Sequence, residues 1–234
     1  FGAGLRFSAE TMEELSDLGK RSELAAILRE GGLDPLTMNG FPYGPFHGER
    51  VKEQVYLPDW RAAERVAYTT ALADLLAEVN SEGAFISLST VPCSFRPNGG
   101  GAEAEMAANM IAAVAHMVEL ERQTGRHVAI AVEPEPCCFL ETIEETVAYF
   151  RDYLFSAEAA LQLAKFSNVT PGAAAKLLPR HLGLCYDVCH AAVEYEDPAA
   201  SIAMLRDADI PVHKLQLSSA LRVASGTDAA RNAL

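Results

Sequence analysis

Apolar and polar positions along this chain follow two periods that take turns. Short runs in which successive side chains split two ways predict strands at Gly4–Ser8, Leu36–Asn39, Phe85–Thr90, Val128–Glu133, Gly183–Asp187 and Val212–Gln216. Between them, helical periodicity predicts helices over Ala9–Arg29 (broken near Leu18-Gly19), Trp60–Val79, Glu103–Thr124, Glu141–Tyr153, Ala157–Lys165, Pro171–Leu178 and Pro198–Asp207. Punctuation agrees: Gly31-Gly32 and Gly125 are helix ends, Asp59 is a helix cap, and Thr170-Pro171 and Asp197-Pro198 are caps followed by proline at the first helical position. Alternating strands and helices predict a parallel sheet.

The two faces of these strands differ. Thr37 and Asn39, Ser87 and Ser89, Ala129, Ala131 and Glu133, Gly183, Cys185 and Asp187, and Lys214 and Gln216 fall on one face. Their neighbours are Leu, Ile, Val, Met and Tyr. An open doubly wound sheet buries both faces and reads as continuous apolar runs. One bulky face and one small or polar face instead suit a closed α/β barrel, bulky under the outer helices and small in a tight interior. A TIM barrel needs eight strands. The chain starts at Phe1 and stops at Leu234 inside a helix-like stretch, Thr227–Leu234. The expectation is one TIM-barrel domain over residues 1–234, part of a longer protein, with the first and last strands outside this chain.

Composition narrows the function. The 234 residues are half apolar and carry a net charge of −13, which argues against gripping a phosphate backbone. No apolar run is long enough for a transmembrane helix, and no signal peptide is visible. Five cysteines without a disulfide or zinc spacing fit a reducing cytoplasm.

Two acidic strings carry the chemistry. Glu133-Pro134-Glu135-Pro136 and Asp187-Val188-Cys189-His190 each close an apolar run, at the strand end where α/β folds place their active sites. Gln216 closes a third. Two carboxylates on one face repel unless a cation or a proton lies between them. Glu133, Asp187 and Gln216 are therefore read as ligands of a divalent metal, Mg, Mn, Co or Zn. His190 is either a further ligand or a polariser of a substrate oxygen. Glu135, stiffened by flanking prolines, either binds substrate or caps a helix.

The long Gly-, Pro- and aromatic-rich stretch 39–52 reads as a lid or substrate wall. Asn39, His47, Arg50 and Lys52 are its candidates for contact with a substrate, the last three with a sugar, phosphate or carboxylate; a packed surface loop is the plainer alternative. Arg222 is a similar candidate for binding an anionic group.

As a set, these residues resemble the xylose isomerase-like TIM-barrel superfamily of sugar isomerases, epimerases and endonuclease IV relatives. Glu133-Pro134 looks like its fifth-strand Glu-Pro, Asp187-x-x-His190 like its sixth-strand motif, and Gln216 falls where the seventh strand supplies a ligand, often His. The strings 39–44, 46–52 and 89–92, with Glu133-Pro-Glu-Pro-Cys-Cys, Cys185-Tyr-Asp-Val-Cys-His and Lys214-Leu-Gln-Leu-Ser, are similar to its EboE-like metabolite-traffic branch. The resemblance implies a metal-binding barrel tied to secondary-metabolite handling. The reading that follows is a metal-dependent isomerase or epimerase acting on a small hydroxy-carbonyl metabolite, with Glu133 and His190 catalytic. The alternatives are a non-catalytic metabolite carrier and a metal-dependent phosphoesterase, which the acidic charge disfavours.

Overall fold

The computed structural model describes residues 1–44, 52–80, 83 and 85–220. Six parallel strands form one sheet in chain order: β1 (Gly2–Arg6), β2 (Asp34–Asn39), β3 (Ile86–Thr90), β4 (Val128–Val132), β5 (Leu182–Asp187) and β6 (Val212–Gln216). Helices lie between them: α1 (Ala9–Glu14), α2 (Leu18–Glu30), α3 (Ala63–Val79), α4 (Arg96–Gly99), α5 (Glu103–Thr124), α6 (Ile143–Tyr149), α7 (Ala157–Ser167), α8 (Pro171–His181), α9 (Val188–Val193) and α10 (Pro198–Asp207). Among the described residues the sheet is a curled half-barrel of six consecutive parallel strands, the part of a TIM-type α/β barrel expected from the strand faces.

The two faces separate as the side-chain alternation requires. Met38, Ile86, Leu88, Val128, Ile130, Val132, Leu182 and Leu184 are fully buried in the apolar core shared with the helices. The other face carries small and polar residues in register: Thr37 beside Ser87 beside Ala129, and Asn39 beside Ser89 beside Ala131 beside Gly183. The sheet curls strongly. Lys214 on β6 donates to Asn39 on β2 and, at 3.1 Å, to Ser89 on β3, although β6 pairs with neither strand. Only a curved sheet brings those positions together.

Local differences from the sequence expectations have local causes. β1 ends at Arg6 because Ser8 caps α1, its hydroxyl accepting from Thr11 N–H at 3.2 Å. The break in the first helical stretch comes before Leu18, since Asp17 caps α2 through the N–H groups of Gly19 and Lys20. Asp59 is not the cap of α3. Its carboxylate is held by the Arg61 guanidinium at 2.6–3.1 Å, and α3 starts after Ala62. α6 starts after Thr142, which forms a reciprocal capping box with Glu145, and it ends in a π-turn over Phe150–Leu154. Thr170 and Asp197 do cap α8 and α10 ahead of prolines, and Gly125 closes α5 in the left-handed conformation.

Candidate functional site

The strand ends gather the reactive groups. Glu133 follows the last residue of β4, and its N–H donates to Thr90 O at 3.1 Å, which fixes the chain beside β3. Asp187 ends β5 and caps α9, the short helix that carries His190. Gln216 ends β6, paired in register with Asp187.

Both carboxylates converge on one atom. Gln216 Nε2 donates to Glu133 Oε1 at 2.6 Å and to Asp187 Oδ2 at 2.8 Å. The other Asp187 oxygen accepts from Cys189 N–H at 2.8 Å and from the Ser218 hydroxyl. Burial pushes the Asp187 carboxyl upward, but the bonds from Ser218 and Cys189 outweigh it and hold the group below the usual carboxylate range. His190 Nδ1 lies 3.0 Å from Pro134 O and 3.8 Å from Glu133 Oε1. A carbonyl only accepts, so Nδ1 carries a hydrogen and Nε2 is the ring nitrogen left to meet a ligand. Ligand atoms of Asp187, Cys189 and His190 lie within 4.8 Å of one another, which adds a thiol to the groups expected there.

Glu135 joins the same cluster from the side. Tyr56 donates to its Oε1 at 3.1 Å. Burial raises the Glu135 carboxyl pKa, opposed by His190 and the Tyr56 bond and reinforced by Glu133 and Asp187. Asn39 faces the interior, where its Nδ2 meets Gln216 Oε1 at 3.4 Å. His47, Arg50 and Arg222 lie outside the described residues.

A nitrogen touches both carboxylates at one point, so a divalent cation that replaced it there would touch both as well. The carboxylates of Glu133 and Asp187 suit Mg, Mn, Co or Zn, while the ligand atoms that gather with His190 are those of Asp187 and Cys189. Gln216 is turned the other way, presenting its NH2 and not its oxygen to that point. Tyr56 and Ser218 were not among the residues expected at the site. Nothing near Tyr56 in the sequence marks it, whereas Ser218 continues the alternation Lys214, Gln216, Ser218.

An open hollow of about 600 Å³ lies at the opposite strand ends, lined by His127, Lys176, Arg180, Arg206 and His213 among others. Two of its cations are already paired, Arg180 with Glu121 and Arg206 with Asp207. The convergent carboxylates are the better candidate for chemistry.

No family model and no curated protein matches the chain. Among solved structures, the crystal structure of 3-keto-D-glucoside 4-epimerase, YcjR, from E. coli in its apo form matches over 98% of this chain and 86% of that one, at 13% identity and a TM-score of 0.42. Among the described residues no helix is long and apolar enough to cross a membrane.

Proposed function

We propose that this chain is a metal-dependent isomerase or epimerase acting on a small polar hydroxy-carbonyl metabolite, in the handling of a secondary metabolite. One observation carries the reading: Glu133 and Asp187, from adjacent strand ends, aim at a single point with His190 alongside. Glu133 and Asp187 would hold a divalent ion, which when bound would supply a Lewis acid for a substrate oxygen. Glu133 moves the proton at the carbon beside the carbonyl, and His190, with its one free lone pair on Nε2, serves either as a further ligand or as the acceptor of a substrate hydroxyl. Asn39 and Glu135 border the substrate space.

The test is elemental analysis of the purified protein beside the Glu133→Ala/Asp187→Ala variant, followed by a screen of sugars and hydroxy-ketones. About one divalent metal per chain, lost in the variant, supports the reading. No metal in either after loading with Mn or Zn sinks it. One observation favours a carrier that binds without turnover: the Gln216 amide already satisfies both carboxylates. A protein without metal that still retains a polar metabolite would establish that reading.

A further inference from the structure

A hydrogen-bond chain crosses the barrel interior from a cation to two anions. Lys214 is buried, and its ammonium donates to Asn39 Oδ1 and to Ser89 Oγ. Asn39 Nδ2 donates to Gln216 Oε1 at 3.4 Å, and Gln216 Nε2 donates to Glu133 and Asp187 at 2.6 and 2.8 Å.

The chain has a direction that chemistry fixes at both ends. An ammonium only donates, so Asn39 must turn its oxygen to Lys214. Its NH2 then faces Gln216, whose oxygen must accept. That leaves the Gln216 NH2 for the carboxylates, which when ionised only accept. Turning Gln216 over would set NH2 against NH2 at Asn39 and a carbonyl oxygen against two carboxylates. Turning Asn39 as well only moves the clash to Lys214.

We propose that Gln216 is a positioning residue and not a metal ligand: the relay from Lys214 through Asn39 commits its amide nitrogen to Glu133 and Asp187, where it holds the two carboxylates together and competes with a cation for the point between them. The competition rests on the metal reading above; the relay does not.

The two parts are tested separately on the whole protein. In metal-free, 15N-labelled protein, the Gln216 side-chain amide is identified by its loss in Gln216→Met, with Gln216→Glu as a second assignment variant. Its protons are expected to exchange with water at least tenfold more slowly than those of solvated glutamines. Exchange as fast as theirs overturns the relay. Calorimetric titration with Mn2+ then compares wild type with Gln216→Met. Removing a competitor tightens Mn2+ binding by about tenfold or more, the equivalent of one hydrogen bond to a charged group. Removing a ligand weakens it, and weaker binding in the variant overturns the competition. If neither protein takes up Mn2+ or Zn2+, the metal reading and the competition fall together, while the amide exchange still decides the relay.

Discussion

The phenol of Tyr56 donates to Glu135 Oε1 at 3.1 Å, and the Tyr56 ring is stacked between Phe41 and Phe95, at centroid distances of 5.5 and 5.7 Å. Two aromatic faces thus hold the hydroxyl that meets this carboxylate. Stacking restricts the ring, so the hydrogen bond is set before any ligand arrives.

This arrangement predicts a pH effect at Glu135. Burial favours its neutral form, so the folded state holds the proton more tightly than the unfolded chain does. Ionisation therefore opposes folding. The stabilisation is present at low pH and is lost as pH rises above the ordinary carboxylate range. Glu135→Gln keeps an acceptor for Tyr56 and removes the charge. Thermal unfolding in chelator should show a higher Tm for the variant at pH 7, with the difference closing near pH ~4. A difference independent of pH would mean that ionisation is not its cause.

Trp60 is the chain's one tryptophan and is fully buried. Its indole N–H donates to Thr90 Oγ1 and Val91 O, both at 3.1 Å, at the end of β3. Phenylalanine would fill much of the space and remove both bonds, leaving Val91 O only the N–H of Cys93 at 2.9 Å. Trp60→Phe should lose about 1–3 kcal/mol in urea unfolding followed by circular dichroism. A loss below about 0.5 kcal/mol, the level of an ordinary surface change, would mean that the bond contributes little.

The small inner face makes a steric demand at Gly183. A methyl group there would lie 2.4 Å from Pro211 O and 2.5 Å from a carbon of the His213 ring, so the backbone leading into β6 would have to move. Gly183→Ala should destabilise by roughly 1–3 kcal/mol. Unfolding of the variant and wild type side by side checks this, and equal midpoints would show that β6 shifts freely.

Gly183 also marks how far the sequence could be read. Period-two alternation sorted Ala129, Ala131, Gly183 and Cys185 from their bulky neighbours, and that contrast pointed to a barrel before any strand was placed. The same alternation put Glu133, Asp187 and Gln216 on one face, and the structure joins all three through one amide. It says nothing of how far a sheet bends. Lys214 and Asn39 are 175 residues apart and meet only because of the curl, so their contact had no local signal. α9 spans only Val188–Val193, too short to register as a helical period. Asp59 shows a competition that composition hides: an aspartate before a helix can cap it, but a bidentate arginine two residues on holds it more strongly.

The far end of the barrel gives the last prediction. His213 Nε2 lies 3.0 Å from Pro179 O, and its ring packs against Phe85 at 5.2 Å, near His127 and His181. Burial pushes the ring pKa down to about 4, opposed by the bond to Pro179 and assisted by the two neighbouring histidines. The folded protein therefore keeps His213 neutral, while the unfolded chain charges it near its usual value. Its contribution to stability is present above pH ~6.5 and is lost as pH falls towards 4. His213→Phe keeps a ring and removes the titration. Urea unfolding from pH 8 down to 4 should show a shallower loss of stability for the variant across that window. His181, also pushed down chiefly by burial, keeps part of the slope in both proteins. At pH 8 the variant should be weaker by about 1 kcal/mol, the worth of the lost bond to Pro179. Identical slopes would show that His213 takes up its proton without leaving the fold.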